Sequence, residues 1–192
     1  MTNSDSRCRC RWVGDDPLYQ AYHDLEWGVP VHEARALFEN LCLEASQAGL
    51  AWITILRKRE AYREAFAGFD AERIARFTSD DVARLLANPG IVRHRGKIEA
   101  TIGNARAWLA LQQKGSDASG WLWSFASPQD EPDAAERMSR ALRRQGFRFL
   151  GPTSCLAFMQ AVGMRNDHDP TCFRFREIAE CTLASDISQT PI

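Results

Sequence analysis

"GFRFLGPTSCLAFMQAVGM", Gly146 to Met164, is the stretch on which the fold turns. The segment before it, "DAAERMSRALRRQG", sets apolar residues at helical spacing among arginines and stops at Gly146, a residue type that ends helices. After "FLGPT" (149–153) comes an apolar run that reads as a buried helix. Gly151 permits a tight turn, and the free N–H groups at the start of the next helix can hold a phosphate. Helix, glycine turn, helix is the helix-hairpin-helix device, which grips a DNA backbone without reading its bases. A plain αα turn has the same outline. The arginines of the first helix favour the DNA reading.

Helical periodicity continues outward from this stretch. Leu37, Phe38, Leu41, Cys42, Ala45 and Ala48 form one stripe, and Trp52, Ile55, Leu56, Tyr62 and Phe66 the next. "TSDDVARLLAN" opens with Thr78 three residues before Asp81, a capping-box start. Ile98, Ile102, Ala105 and Leu109 mark a longer helix. Strand signals are scarce, so an all-α bundle is expected. The 192 residues suffice for one large domain or two small lobes, which the loop-rich stretch 115–136 could join. Residues 1–7 and 177–192 read as loose tails, leaving 8–176 as the helical domain. No run is apolar enough to cross a bilayer, and the polar start "MTNSDSRCR" lacks the core of a signal peptide. A cytoplasmic protein without membrane contact is expected.

The formal charge of −1 and the pI of about 6.4 speak against a broadly basic nucleic-acid coat. The charge is uneven, however: "RKREAYR" (57–63), "RHRGK" (93–97) and "RMSRALRRQGFR" (137–148) are basic runs. Each alone reads as a solvated helix face. Together they could make one basic face on a neutral protein.

Three constellations could carry chemistry. The first is a metal site. Cys10 and His23 stand near one end of the chain, and "HDPTC" places His168 and Cys172 in an H-x3-C spacing near the other. Two thiolates and two imidazoles suit tetrahedral zinc. Four protein ligands leave no open position, so such a zinc would be structural, joining the N- and C-terminal segments across a very long loop. On spacing alone Cys8 and Cys181 are rival ligands, and a buried cysteine beside a satisfied histidine accounts for either half without metal. Cys42 and Cys155 lie in apolar patterns and read as core. The second constellation is Glu44, seven residues after Leu37 and three after Leu41, on or beside an apolar stripe. A carboxylate there is costly unless it is hydrogen-bonded or used, or reaches solvent from the stripe's edge. The third is the aromatic set Trp12, Tyr19, Tyr22, Trp27 and Trp52. Aromatics at such spacing usually form core; with one carboxylate they could also make a slot for a flat cationic ring.

"CRWVGDDPLYQAYHDLEWGVP", "FENLCLEASQAGLAWITILRKREAYREAF", "PGIVRHRGKIEATIGNARAWL" and "GFRFLGPTSCLAFMQAVGMRNDH" together resemble the bacterial 3-methyladenine DNA glycosylase I family, in order, from Cys10 to Cys172. The resemblance implies an all-α member of the helix-hairpin-helix glycosylase superfamily. It implies a zinc-binding site at Cys10, His23, His168 and Cys172, with Cys8 a bystander because Cys10 precedes the family tryptophan by two residues. It assigns the base-contacting glutamate to Glu44 and the pocket aromatics to Trp12, Tyr19, Tyr22 and Trp52.

The implied activity is hydrolysis of the N-glycosidic bond of 3-methyladenine in double-stranded alkylated DNA. Free 3-methyladenine would be the product and a monomer the working unit. The "QAGL" turn, with Gly49 and Leu50, would fill the gap left in the base stack, and Gly151 and Thr153 would anchor a phosphate. Asp167 stands beside His168, so orienting that ligand competes with a catalytic role, and no catalysis is assigned to it. The few lysines, 58, 97 and 114, fall outside the pocket segments, so no lyase step is expected. Ala45, Ser46 and Ala51 depart from the family's glycine, glutamine and serine. Whether 3-methylguanine is also a substrate stays open. A non-enzymatic zinc-stapled DNA-binding module and a small-molecule zinc hydrolase are the competing readings.

Overall fold

The computed structural model describes residues 7–113, 117–126 and 133–187, with 181–187 described by backbone alone. Its helices run in the order α1 (Pro17–Leu25), α2 (Ala34–Gln47), α3 (Trp52–Leu56), α4 (Arg59–Ala65), α5 (Ala71–Ala75), α6 (Ser79–Ala87), α7 (Arg95–Gln113), α8 (Ala118–Trp123), α9 (Ala134–Arg144), α10 (Pro152–Ala161) and α11 (Phe173–Ile187). A single 3-10 turn, Ala67–Phe69, interrupts the series. No strand occurs among the described residues, as the periodicity predicts.

Local chemistry sets the helix ends. Asp16 caps α1 by accepting from Leu18 N and Tyr19 N, and Pro17 takes the first position, where no N–H is needed. Asp81 accepts from Thr78 N at 2.9 Å in the expected capping box. α9 stops at Gly146, with φ 93°, where Phe147 N bonds back to Leu142 O at 3.0 Å.

Two apolar cores are joined by one residue. The larger packs Leu37, Phe38 and Leu41 of α2 against Trp108 of α7 and Phe158 of α10. Leu37, Phe38 and Phe158 are wholly buried, each contributing about 1.5–3 kcal/mol. The smaller gathers Cys10, Val13, Tyr22, Trp27, Leu56, Ala161 and Cys172. Trp52 packs against both. The segment after α1 is pinned to the end of α10 by Gly28 N to Ala161 O (3.2 Å) and Val31 N to Val162 O (3.1 Å). Gly163 makes this approach possible: a Cβ there would lie 2.6 Å from both Gly28 O and Pro30 N.

Two expectations change. The domain does not close at residue 176: α11 continues through it, and Ile178 is wholly buried. Residues 1–6 and 188–192 lie outside the described residues, as do 114–116 and 127–132 of the expected lobe connection. Within the hairpin, Gly151 has an ordinary φ of −73°, while Gly146 and Phe149 (φ 59°) take the left-handed conformation. The turn therefore does not need a glycine at 151, and a Cβ there would meet no atom within 4 Å. That leaves its backbone open to a ligand. Among the described residues no helix is long and apolar enough to cross a membrane.

Candidate active site and metal centre

α1, α3, the end of α10 and the start of α11 meet at the smaller core, and with Glu44 and Gln47 of α2 they build two adjoining polar clusters. In the first, one donor atom each of Cys10, His23, His168 and Cys172 lies within 4.8 Å of all the others, and all four residues are buried. Cys10 Sγ is 3.5 Å from His168 Nδ1, and Cys172 Sγ is 3.4 Å from His23 Nε2. The outer atoms are tied down: His23 Nδ1 meets Asp24 Oδ1 at 2.8 Å, and Arg9 holds Asp24 at 2.7 Å. His168 Nε2 meets Trp27 O at 3.1 Å, and Asp169 N donates to Cys10 Sγ at 3.2 Å. Such outer partners fix imidazole orientation in metal centres.

Burial pushes the Cys10 thiol up to about 12 and the His168 imidazole down to about 4. Burial thus favours the uncharged forms of Cys10 and His168, and a divalent cation would favour the thiolate. This buried Cys2His2 set could hold a metal ion. Cys8 is exposed and sits outside it; the side chain of Cys181 is outside the described residues.

The second cluster is a cavity of about 260 Å³ lined by Trp12, Tyr19, Tyr22, Trp27, Glu44, Gln47, Trp52, Ala157, Gln160 and Asp167. Trp12, 39% exposed, stands at its mouth with its ring edge-on to Tyr19 and Trp27, both 4.9 Å away. Tyr22 and Trp52 are tilted against each other at 5.6 Å. Glu44 is 3% exposed; its Oε2 and the Trp52 Nε1 have no hydrogen-bond partner among the described residues. Unpaired buried groups of this kind are rare and costly in a finished core. Burial pushes the Glu44 carboxyl up to about 8. Burial, and then the Glu44 charge, also raises the Tyr19 and Tyr22 phenols, which stay protonated donors. The cavity thus offers flat walls, an acceptor and a donor, all waiting for a ligand.

Every residue expected at the pocket, Trp12, Tyr19, Tyr22, Glu44 and Trp52, lines this one cavity. Sequence reasoning did not place Gln47, Gln160 and Asp167 there. A glutamine on the inner face of the apolar helix "TSCLAFMQA" was the available signal for Gln160. Asp167 does not orient His168: its carboxylate accepts from Gln160 Nε2 at 2.7 Å and pairs with Arg165 at 2.8 Å. Ser46 is buried and donates to Cys42 O at 2.8 Å.

The residues expected at DNA lie apart from the cavity walls. Gly49 (φ 81°) and Leu50 (40% exposed) form the tip after α2, while Gly151 and Thr153 begin α10. The first basic run is largely neutralised: Arg57 pairs with Asp16, Arg59 with Glu26 and Arg63 with Glu39. Arg93, Arg143, Arg144 and Arg148 are exposed and make no ion pair among the described residues. The exposed basic charge outside ion pairs therefore lies in the second and third runs.

A helical bundle with a hairpin at its surface and a buried carboxylate in an aromatic slot is the design of an enzyme that takes a flat ring out of DNA. The family model for methyladenine glycosylase matches residues 12–175, and the chain belongs to that family. The DNA-3-methyladenine glycosylase 1 of Escherichia coli (strain K12) is 48% identical over 177 residues, which are 85% of this chain and 95% of that protein. The DNA-3-methyladenine glycosylase of Haemophilus influenzae is 45% identical over 177 residues, 85% of this chain and 96% of that protein. A crystal structure of a 3-methyladenine DNA glycosylase I superposes with a TM-score of 0.83 at 52% identity, covering 86% of this chain and 98% of that one.

Proposed function

We propose that this protein is a DNA repair glycosylase that flips out 3-methyladenine from double-stranded alkylated DNA and hydrolyses its N-glycosidic bond. The observation that carries the reading is the unpartnered Glu44 carboxyl oxygen in an aromatic slot. A structural carboxylate would be paired; a recognition carboxylate waits for its ligand.

N3-methylation gives the nucleotide a positive charge. Once extruded, the ring stacks among Tyr19, Tyr22 and Trp52, with Trp12 closing the mouth. The cation favours the ionised form of Glu44, which accepts from the exocyclic amine side of the base. Neutral adenine offers no such charge and leaves Glu44 buried without compensation. The electron pair of the glycosidic bond moves onto the ring and neutralises it, so no acid is needed to protonate the leaving base. Water adds at C1′ and releases a proton, and free 3-methyladenine departs.

No lysine lines the cavity: Lys58 Nζ bonds Pro89 O and Lys97 Nζ bonds Ser46 O, while Lys114 is outside the described residues. The enzyme is accordingly monofunctional, and borohydride treatment during turnover traps no protein–DNA adduct. Gly49 and Leu50 occupy the gap in the stack, and Gly151 and Thr153 hold a phosphate. Cys10, His23, His168 and Cys172 would hold zinc, which would supply a structural cross-link between the two ends of the chain and take no part in bond breaking. The protein works as a cytoplasmic monomer on this reading.

The test is chromatographic measurement of bases released from methylated duplex DNA by wild type and by Glu44→Gln. Release of 3-methyladenine by wild type, largely lost in the variant, is the expected result. No release by folded, metal-loaded wild type would leave a DNA-binding module.

A further inference from the structure

Lys97 is a half-buried cation that the pocket does not use. It stands in the first turn of α7, yet its Nζ reaches the far end of α2, donating to Ser46 O at 2.9 Å and to Ala48 O at 2.7 Å. These are carbonyls at a helix C-terminus, where the helix itself provides no donor partners and its dipole leaves partial negative charge. α2 has no basic residue in its own last turn. The cation that caps the helix carrying Glu44 therefore comes from another helix, about fifty residues further along the chain.

That cap sits at the base of the exposed tip. Directly after Ala48 come Gly49 and the exposed Leu50, whose N–H bonds back to Gln47 O at 2.7 Å. At the tip, a Cβ at Gly49 would meet no atom within 4 Å. The anchor on the other side is in contact with the hairpin. Lys97 N lies 3.2 Å from His94 Nδ1, and the His94 ring is edge-on to Phe149 of the hairpin at 6.2 Å. Gly96 brings α7 close to the same ring: a Cβ there would be 3.5 Å from Phe149 Cζ. One short segment, His94 to Lys97, thus touches the hairpin at one end and clasps the tip of α2 at the other.

We infer that Lys97 is a positioning residue: it sets the Gly49–Leu50 tip at a fixed distance from the hairpin, so that the tip enters the base stack while the hairpin holds the backbone. The inference rests on the proposed role of that tip in DNA. A loose tip would still leave the pocket intact, since the cavity walls come from α1, α2, α3 and α10. The loss should therefore appear only where a stack must be opened.

The experiment compares wild type with Lys97→Met, which keeps the stem and loses the ammonium. Metal content and thermal unfolding establish that the variant is folded. Single-turnover release of 3-methyladenine is then measured on duplex and on single-stranded methylated DNA. The expected result is a tenfold or greater loss on duplex with release from single strands within twofold of wild type. Equal rates on duplex, or an equal loss on both substrates, overturn the inference; the latter would make Lys97 a support for the pocket.

A second readout needs no base release. A duplex with 2-aminopurine beside a tetrahydrofuran abasic site brightens when a side chain unstacks it. Wild type should brighten this probe and Lys97→Met should not, at DNA concentrations that saturate both. This outcome would sustain the inference even if methylated DNA released no base and the proposed reaction failed. Equal brightening by both proteins would overturn it even if the reaction stood.

Discussion

The two buried polar clusters share a core and differ in one respect. In the Cys10–His23–His168–Cys172 set, three of the four residues have an outer partner: Asp24 for His23, Trp27 O for His168, the Asp169 N–H for Cys10. In the cavity next to it, Glu44 Oε2 and Trp52 Nε1 have none. A cluster whose ligands are mostly held by outer partners is built to hold something permanently. A cluster left incomplete carries a cost in the empty protein that a ligand removes. The structural site and the working site can be told apart by this bookkeeping alone, although Trp27 contributes to both.

The comparison breaks most visibly if the first cluster is not a metal centre. Metal in a site of this kind supplies folding free energy directly, on the order of 10 kcal/mol in small zinc domains. Stripping the protein with a chelator, or Cys172→Ser, should therefore lower the unfolding temperature by ~10 °C or more. Metal analysis of the purified protein should return about one zinc per chain. An unchanged unfolding temperature after stripping would show that the clasp does not hold the fold together.

The next largest effect belongs to the unsatisfied side. Glu44→Gln removes the charge that favours a cationic base, and hydrogen bonds to charged groups are each worth about 1.5–3 kcal/mol. Single-turnover release of 3-methyladenine should fall by roughly 100-fold. Metal content should not change. A variant that lost both would show that the two clusters are not separable.

The same substitution should stabilise the empty protein, and pH reveals why. The Glu44 carboxyl titrates at 4.5 unperturbed and about 8 when buried in the fold. Between these values the folded state holds a proton that the unfolded state has released. Its contribution is therefore present in full below pH 4.5, declines as pH rises, and levels off above about 8. Glu44→Gln lacks this decline. With both proteins metal-loaded, the stability difference in favour of the variant should grow by ~3.5 kcal/mol from pH 5 to pH 8. Urea unfolding across that range measures it, and a constant difference would mean that Glu44 is not the buried acid described here.

Much of this was legible in the residues. The hairpin, the capping box at Thr78 and the apolar stripe beside Glu44 all follow from local spacing, because helices impose one period on the sequence. Glu44 itself was ambiguous until packing closed over it: periodicity puts a side chain at the edge of a stripe but does not say whether that edge reaches water. The metal set was readable only in halves, since His23 and His168 meet through the folding of everything between them. The pairing of Gly163 with the backbone at Val29, and the reach of Lys97 to the end of α2, had no local signature at all. Ile178 shows the opposite failure: a segment read as a loose tail continues α11, and among its described side chains Ile178 is wholly buried.

Asp167 gives the smallest expected effect and the sharpest use of the comparison. It lines the cavity as Glu44 does, so proximity to a reacting base would assign both the same importance. Their partners differ. Asp167 accepts from Gln160 Nε2 and pairs with Arg165, so its charge is already matched before any ligand arrives. Asparagine at 167 keeps an oxygen for the Gln160 amide and loses only the pairing with Arg165, a part-exposed interaction worth about 1 kcal/mol or less. Release of 3-methyladenine by Asp167→Asn should then stay within about fivefold of wild type. An inactive Asp167→Asn that still binds its metal would place catalysis on the satisfied carboxylate. Hydrogen-bond completeness would then mark neither the structural cluster nor the working one, and the distinction drawn between them would have to rest on the metal alone.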